Sequence, residues 1–328
     1  MLCIDNDCTN PYWNLAAEEY LLKAFRDDIF MLWRNEPSII VGKHQNSLAE
    51  INARYVQENN IPVVRRLTGG GAVFHDLGNL NFTFISNAKS TDEKLIDFRK
   101  YTKPILDVML ALGIDARFEG RNDLTISGLK FSGNAEHIFN NRILHHGTLL
   151  FSTQLPNLSA ALNVDPLKFT DKAVKSVRSR VTNISEHLKS DLDVVGFKNL
   201  VMKHINTQYT VSKSYSFNPM DLQEINNLTE SKYMKWDWNF GESPQYNFRK
   251  IIKTSGGSIE FAIDVNKGIM SAVKIYGDFF NHLDISEIEL KLQNIPHDPD
   301  IIRGVLSAFK IEQYFDRISV DELISAMF

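Results

Sequence analysis

The chain has 328 residues, 43% hydrophobic and 23% charged, enough for one large domain and a smaller one around an ordinary core. A net charge of −4 excludes a general nucleic-acid binder, and no stretch approaches the roughly 20 apolar residues that span a bilayer. Two cysteines, Cys3 and Cys8, form neither a disulfide framework nor a zinc pattern; with no secretory pattern at the start, they predict a reducing, cytoplasmic setting.

In chain order, Asn14 is the expected cap of a helix through LAAEEYLLKAF, with Leu15, Tyr20, Leu21, Leu22 and Phe25 on one face. The apolar runs Ile29 to Trp33 and Ile39 to Val41 flank the turn residues Asn35-Glu36-Pro37-Ser38 and read as strands. A short helix is expected over 52–59 and a strand over 61–66, leading into Gly69-Gly70-Gly71, with extended chain at 72–74 and 81–85. Helical spacing predicts a helix over 94–112, kinked or divided at Pro104. Alternation over 124–131 and 142–151 predicts two antiparallel strands, with Asn140-Asn141 in a turn. A broken helical region follows over 159–209, and another helix over 220–233. Turn and flexible chemistry between 243 and 256 marks a boundary, beyond which a hairpin turns at Asn266-Lys267-Gly268 and two or three helices follow. The fold class expected is α+β, a mixed β-sheet domain over 1–246 with a small C-terminal α+β domain over 247–328.

Three segments carry chemistry. In RRLTGGGAVFHDLGNLNF, Arg65 to Phe82, consecutive glycines open a backbone path closed to other residues and allow a nest of N–H groups for an anion. Arg66 is placed to pair with a phosphate or carboxylate, Thr68 adds a hydroxyl, and His75, Asp76 and Asn79 follow. A plain hairpin turn with solvated polar residues is the bland alternative. The glycines lack the Gly-Lys-Ser/Thr of a P-loop and the spacing of a dinucleotide fingerprint. In GRNDLTISGLKFSGNAEHIF, Gly120 to Phe139, Lys130 stands between Ser127-Gly128 and Ser132-Gly133, whose small side chains leave space around its charge; an exposed strand lysine is the alternative. In RILHHGTLLF, Arg142 to Phe151, His145 and His146 point to opposite faces of a strand, which argues against a shared metal, and Gly147 and Thr148 are placed to lie against a ligand.

Together these segments resemble the lipoate–protein ligase family in its long form with a C-terminal accessory domain. SIIVGKHQN at Ser38 to Asn46, KSVRSRVTNI at Lys175 to Ile184 and WDWNFGESPQYNF at Trp236 to Phe248 are weaker matches. The resemblance implies a fold of the biotin/lipoyl protein ligase type and an ATP-dependent reaction through lipoyl-adenylate. In it Lys130 is the catalytic lysine that contacts carboxylate and phosphate oxygens. Arg66, Thr68, Gly69, Gly70, Gly71, Val73, His75, Asn79, Asn122, Asp123, Ala135, His146, Gly147 and Thr148 line the ATP and lipoyl-adenylate site. Val41 and Gly42 lie near the lipoyl chain, and Asp123 helps hold magnesium. The implied acceptors are the glycine-cleavage H protein and the acyltransferase subunits of 2-oxo-acid dehydrogenases, with neither nucleic acid nor membrane as a partner. The alternatives are a lipoyl or octanoyl transferase working through a cysteine thioester, a ligase for another acid such as biotin, a relay enzyme serving one carrier, and a lipoate-binding protein without activity.

Overall fold

Asn10 starts the first helix: its side chain accepts the N–H groups of Tyr12 (2.9 Å) and Trp13 (3.2 Å), and Pro11 follows at the first helical position. The cap therefore lies four residues before Asn14. Asn14 is fully buried instead, donating to the carbonyls of Cys8 (2.9 Å) and Arg34 (3.0 Å). The computed structural model describes residues 1–87, 97–162, 169–171, 180–209, 212–277, 279, 283–315 and 317–328. The elements in order are β1 (Leu2–Asp5), α1 (Pro11–Ala24), β2 (Ile29–Trp33), β3 (Ser38–Val41), α2 (Ser47–Glu50), α3 (Ala53–Glu58), β4 (Val63–Arg65), β5 (Val73–His75) and β6 (Asn79–Asn87). There follow α4 (Phe98–Ala111), β7 (Ala116–Glu119), β8 (Asp123–Ile126), β9 (Leu129–Phe139), β10 (Arg142–Leu150), α5 (Leu155–Ala161), β11 (Phe169–Asp171), α6 (Val194–Gln208), β12 (Lys213–Ser214) and α7 (Pro219–Leu228). Then come β13 (Tyr246–Thr254), β14 (Gly257–Asn266), β15 (Ile269–Gly277), α8 (Ser286–Leu292), α9 (Pro299–Leu306), α10 (Ile311–Tyr314) and α11 (Val320–Met327).

The chain divides into two compact units, one of Met1–Lys43, Pro62–Ser159 and Ser176–Lys235, the other of His44–Ile61, Ala160–Lys175 and Trp236–Phe328. In the first unit an eight-stranded mixed sheet runs β12-β1-β2-β6-β10-β9-β8-β7, parallel over its first three strands and antiparallel thereafter. A three-stranded sheet, β4-β3-β5, stands beside it. Strand β6 shows how sequence builds the two faces. Leu80, Phe82 and Phe84 alternate into a core shared with Tyr101, Ile105 and Val108 of α4 and Val201 and Ile205 of α6. Asn79, Asn81 and Thr83 occupy the other face, where Thr83 pairs in register with His146 and Asn81 with Thr148 of β10.

Two turns decide where the chemistry-bearing residues fall. Asn140 and Asn141 both have positive φ (43° and 63°), the primed turn that joins β9 to β10 as expected. Ser127 and Gly128 also have positive φ (50° and 78°), so the expected 124–131 strand is a hairpin and Lys130 is the second residue of β9. Helix α4 passes through Pro104 undivided; its expected start at 94 lies outside the described residues. Of the helical region expected over 159–209, residues 163–168 and 172–179 also lie outside; the described part includes a 3-10 turn at Ile184–His187 and α6.

The second unit holds the sheet β11-β13-β14-β15, with Lys267 (φ 50°) and Gly268 (φ 73°) making the expected hairpin turn. Helices α8 to α11 follow. Buried His297 ties its end down: Tyr246 Oη lies 2.7 Å from Nδ1, and Nε2 lies 2.8 Å from the Met327 carbonyl. That carbonyl only accepts, so Nε2 carries the proton and Nδ1 receives the Tyr246 hydroxyl. Burial pulls its pKa down to about 4.

Candidate active site

Arg66 holds the glycine loop from within. Nε donates to Thr68 Oγ1 (2.8 Å), Nη1 to the Ile40 carbonyl (3.1 Å), and Nη2 to the carbonyls of Gly69 (2.7 Å) and Gly71 (2.8 Å). Burial lowers its pKa to about 10, so the guanidinium stays charged at neutral pH. Gly70 has φ +91°, and a β-carbon on Gly42 would stand 2.1 Å from its carbonyl oxygen, so the end of β3 and the loop touch main chain to main chain. The Lys43 N–H donating to the Thr68 carbonyl (2.8 Å) fixes that approach. Val41 is fully buried in β3, and Val73 is half-buried opposite Ile40.

A buried hydrogen-bonded chain runs from this loop into the sheet. Thr68 Oγ1 lies 2.8 Å from His146 Nε2, and His146 Nδ1 lies 3.0 and 3.1 Å from the two Glu18 oxygens. Glu18 Oε1 accepts from Thr83 Oγ1 (2.6 Å), which accepts from Trp33 Nε1 (2.8 Å). With its Nδ1 proton directed at the carboxylate, His146 is left with Nε2 to accept the Thr68 hydroxyl proton. Glu18 and Glu19 are both buried on α1. Glu19 is neutralised by Lys23 (2.6 Å) and Lys232 (2.7 Å) and accepts from Tyr233 (2.7 Å).

Between residues 75 and 81, just after the loop in sequence, three buried polar atoms have no protein partner. His75 Nδ1 is 3.1 Å from the Asn35 amide nitrogen, which donates, so Nε2 carries the ring proton and has no protein partner. Burial, with Arg66 and His146 nearby, takes the His75 pKa down to about 3. Asn79 Nδ2 donates to Asn81 Oδ1 (2.8 Å), leaving Asn79 Oδ1 and Asn81 Nδ2 buried without a protein partner. Swapping both amides still leaves one donor and one acceptor. Buried groups left open in this way call for a polar ligand or an ordered water. Asp76 is occupied structurally, accepting the N–H groups of Gly78 (2.9 Å) and Gln154 (2.8 Å).

Lys130 pairs with Asp123 at 2.8 Å, both partly exposed. Its Nζ lies 3.1 Å from where a β-carbon on Gly133 would stand, so the ammonium rests on bare backbone. The Gly133 N–H donates to Thr148 Oγ1 (3.3 Å), which brings β9 and β10 together there. Asn122 is stitched to Asn134: its carbonyl accepts from Asn134 N (3.1 Å) and Nδ2 (3.0 Å), and its own Nδ2 donates to the Asn134 carbonyl. Gly147 makes room for this, since a β-carbon there would lie 2.3 Å from Asn134 Oδ1 and 2.6 Å from the Phe82 ring. Ala135 pairs in register with His146. Among the described residues no three His, Cys, Asp or Glu side chains form a metal-holding group; Asp123 offers a single carboxylate.

The expected residues thus fall into two clusters, one around Arg66 and one around Lys130, joined by His146-Gly147-Thr148 of β10. Glu18, Trp33, Thr83, Asn81, Asn134 and Glu136 belong to the same networks and were not expected. Two adjacent acids inside an apolar helix, Glu18-Glu19, were the available signal.

A family model for the lipoyl protein ligase A/B catalytic domain matches residues 10–206, and one for the bacterial lipoate protein ligase C-terminus matches residues 243–327. Lipoate-protein ligase LplJ of Bacillus subtilis is 40% identical over 333 residues, covering 100% of both chains. Lipoate–protein ligase 1 of Staphylococcus aureus is 40% identical over 325 residues, 98% of each. Among solved structures, lipoate-protein ligase A bound with ATP has a TM-score of 0.63 at 25% identity, covering 73% of this chain and 98% of its own. Plasmodium falciparum LipL1 in complex with lipoate has a TM-score of 0.61 at 26% identity, covering 99% and 98%. The archaeal bipartite ligase of Thermoplasma acidophilum, described together with its E2 lipoyl domain, has a TM-score of 0.63 at 25% identity over 73% and 96%. With its mixed sheet, its glycine loop and both family domains in order, this chain belongs to the lipoate–protein ligase family.

Proposed function

We propose that the chain joins lipoate to a lysine of an acceptor protein by way of lipoyl-adenylate. The observation that carries this is the Lys130 ammonium resting against Gly133, beside Thr148 and on the strand pair that leads to the Arg66 loop. In the first step a lipoate carboxylate oxygen bonds to the α-phosphorus of ATP and the bond to pyrophosphate breaks. In the second, the acceptor amine bonds to the acyl carbon, its proton is lost, and AMP leaves. Bringing two anions together needs fixed positive charge, and Lys130 supplies it where negative charge develops. Arg66 acts indirectly, keeping the loop shaped while its own charge lies just beneath. His75, Asn79 and Asn81 offer donors and acceptors to the nucleotide. Val41 and Gly42 form the base of the loop on the lipoyl side.

Magnesium, when bound, supplies charge neutralisation of the phosphates. Asp123 fits one of its oxygen positions, because this ion is commonly held by one or two carboxylates plus substrate phosphates. The pairing with Lys130 then has to open or be shared. Residues 1–246 carry adenylation and 247–328 act as the accessory domain. The acceptors are the glycine-cleavage H protein and 2-oxo-acid dehydrogenase acyltransferase subunits, met in the cytoplasm. No helix among the described residues is long and apolar enough to cross a membrane.

The test is incubation with ATP, magnesium, lipoate and an apo acceptor domain, followed by intact-mass measurement. A mass gain equal to lipoate less water, dependent on ATP, is expected. Acceptor left unmodified while lipoate still binds would favour a binding protein instead.

A further inference from the structure

We propose that Glu136 is a positioning residue for the nucleotide half of the site, acting as a hydrogen-bond donor that holds the Asn122–Asp123 corner through His145 and Asn134. This rests on the reading above that the corner meets the nucleotide.

The Asn134 carboxamide has one workable orientation. Nδ2 donates to the Asn122 carbonyl (3.0 Å) and to Ser132 Oγ (3.3 Å), which leaves Oδ1 as the atom 3.3 Å from His145 Nε2. A carbonyl oxygen only accepts, so Nε2 carries a proton. Nδ1 of the same ring lies 2.9 Å from Glu136 Oε1. In a neutral ring Nδ1 accepts, and the proton on that bond belongs to Glu136. An imidazolium facing a carboxylate would meet the same geometry, at the cost of two charges where the His145 side chain is 0% and the Glu136 side chain 1% exposed. His145 is stacked against Tyr101 (4.9 Å) and Phe82 (5.8 Å), with Phe98 edge-on. Burial pushes Glu136 up to about 7 and His145 well below its usual range, both toward the neutral pair. Among the surrounding groups, a main-chain hydrogen bond from Asp97 lowers Glu136, the Asp97 charge raises it, Lys100 lowers it, and His146 lowers His145.

Ionising Glu136 moves the ring proton to Nδ1 to meet the carboxylate. Nε2 then faces Asn134 Oδ1 lone pair to lone pair. Asn134 loses that hold, and with it the bonds that set Asn122 beside Asp123 and Lys130.

The full-length protein is measured with ATP and lipoate from pH 6 to 8.5, as wild type, Glu136→Gln and Glu136→Leu, with melting curves as a folding control. Glutamine keeps a donor and cannot ionise. The wild-type KM for ATP should rise about fivefold through pH 7, roughly one hydrogen bond's worth, with kcat little changed. Glu136→Gln should hold the low-pH value throughout, and Glu136→Leu, with no carboxylate to draw the ring proton to Nδ1, should show no step through pH 7. Nitrogen-15 NMR of His145 supplies a readout independent of activity. It should show an N–H at Nε2 and a bare Nδ1 at pH 6.5, including when Glu136→Leu fails to fold. Parallel pH profiles for wild type and Glu136→Gln, or an imidazolium or Nδ1–H ring at pH 6.5, would overturn the proposal. No ATP turnover by the wild type would instead count against the function proposed above, while the NMR result still decides where the proton sits.

Discussion

Glu18 and His146, 128 residues apart in sequence, meet in the interior with both carboxylate oxygens within 3.1 Å of one ring nitrogen. Helix α1 and strand β10 are thereby joined at the point where the glycine loop reaches the sheet through Thr68. The acid lies beneath the loop and sets which nitrogen of His146 faces it.

Glu18→Ala removes the acceptor for both His146 and Thr83 and leaves two buried donors unmet. A loss of about 2–6 kcal/mol is expected, at roughly 1–3 kcal/mol per orphaned group, read by urea denaturation. Glu18→Gln should cost less, because its carbonyl still accepts one of the two bonds. Equal stability of all three proteins would show that the chain of bonds is not coupled to folding.

Lys130→Ala separates chemistry from stability. The ion pair with Asp123 is partly exposed and contributes about 0–1 kcal/mol, so the melting temperature should scarcely change. Pyrophosphate release on adding lipoate and ATP should fall by at least about a hundredfold, as for loss of a transition-state charge partner. Release at the wild-type rate from the folded variant would remove Lys130 from its assigned role.

Two glycines bracket the loop and respond differently. Gly42→Ala places a methyl 2.1 Å from the Gly70 carbonyl oxygen, so the loop has to shift. Lipoyl-adenylate affinity, measured by calorimetry, should drop by an order of magnitude or more, since misplacement of about 1 Å costs on the order of a hundredfold. Gly69→Ala meets nothing within 4 Å and should bind within about twofold of wild type, a cost of tenths of a kcal/mol.

Both thiols have pKa values raised by burial, Cys3 on β1 and Cys8 before α1, the reverse of an activated thiolate. Replacing both by serine should leave acceptor modification by intact mass within about twofold of wild type, ordinary for residues outside the chemistry. Abolished modification with an unchanged fold would restore the thioester route.

Acid should unfold the second unit partly through His297. Its folded pKa of about 4 lies below the unfolded value near 6.5, so the unfolded chain binds more protons between those limits. Stability is fully present above pH 6.5 and falls by about 3 kcal/mol as pH drops through 4. His297→Phe should flatten that stretch of the melting-temperature curve, whatever it costs at neutral pH.

The apolar strands, the Asn140-Asn141 turn and the glycine loop were all legible, because period-two burial and positive-φ turn residues act locally. The fold class and family followed from motif order. Less legible was whatever depended on a partner distant in the chain. Asn14 reads as a helix cap until Cys8 and Arg34 claim its carboxamide. Arg66 reads as a phosphate ligand, and nothing local shows that four of its bonds go to Ile40, Thr68, Gly69 and Gly71. Ser127-Gly128 was seen as space for a lysine, and it is also a corner that ends one strand and starts the next.

Strand β6 presents Phe82 and Phe84 to the interior and Asn79, Asn81 and Thr83 to the opposite side, so hydrophobic packing and the placing of the candidate site's polar groups hang on a single alignment with β10. Sliding that pairing by one residue would exchange the two populations, drowning phenylalanines among amides and burying asparagines in oil. A chain that misaligns this one strand therefore misplaces its apolar and polar groups together.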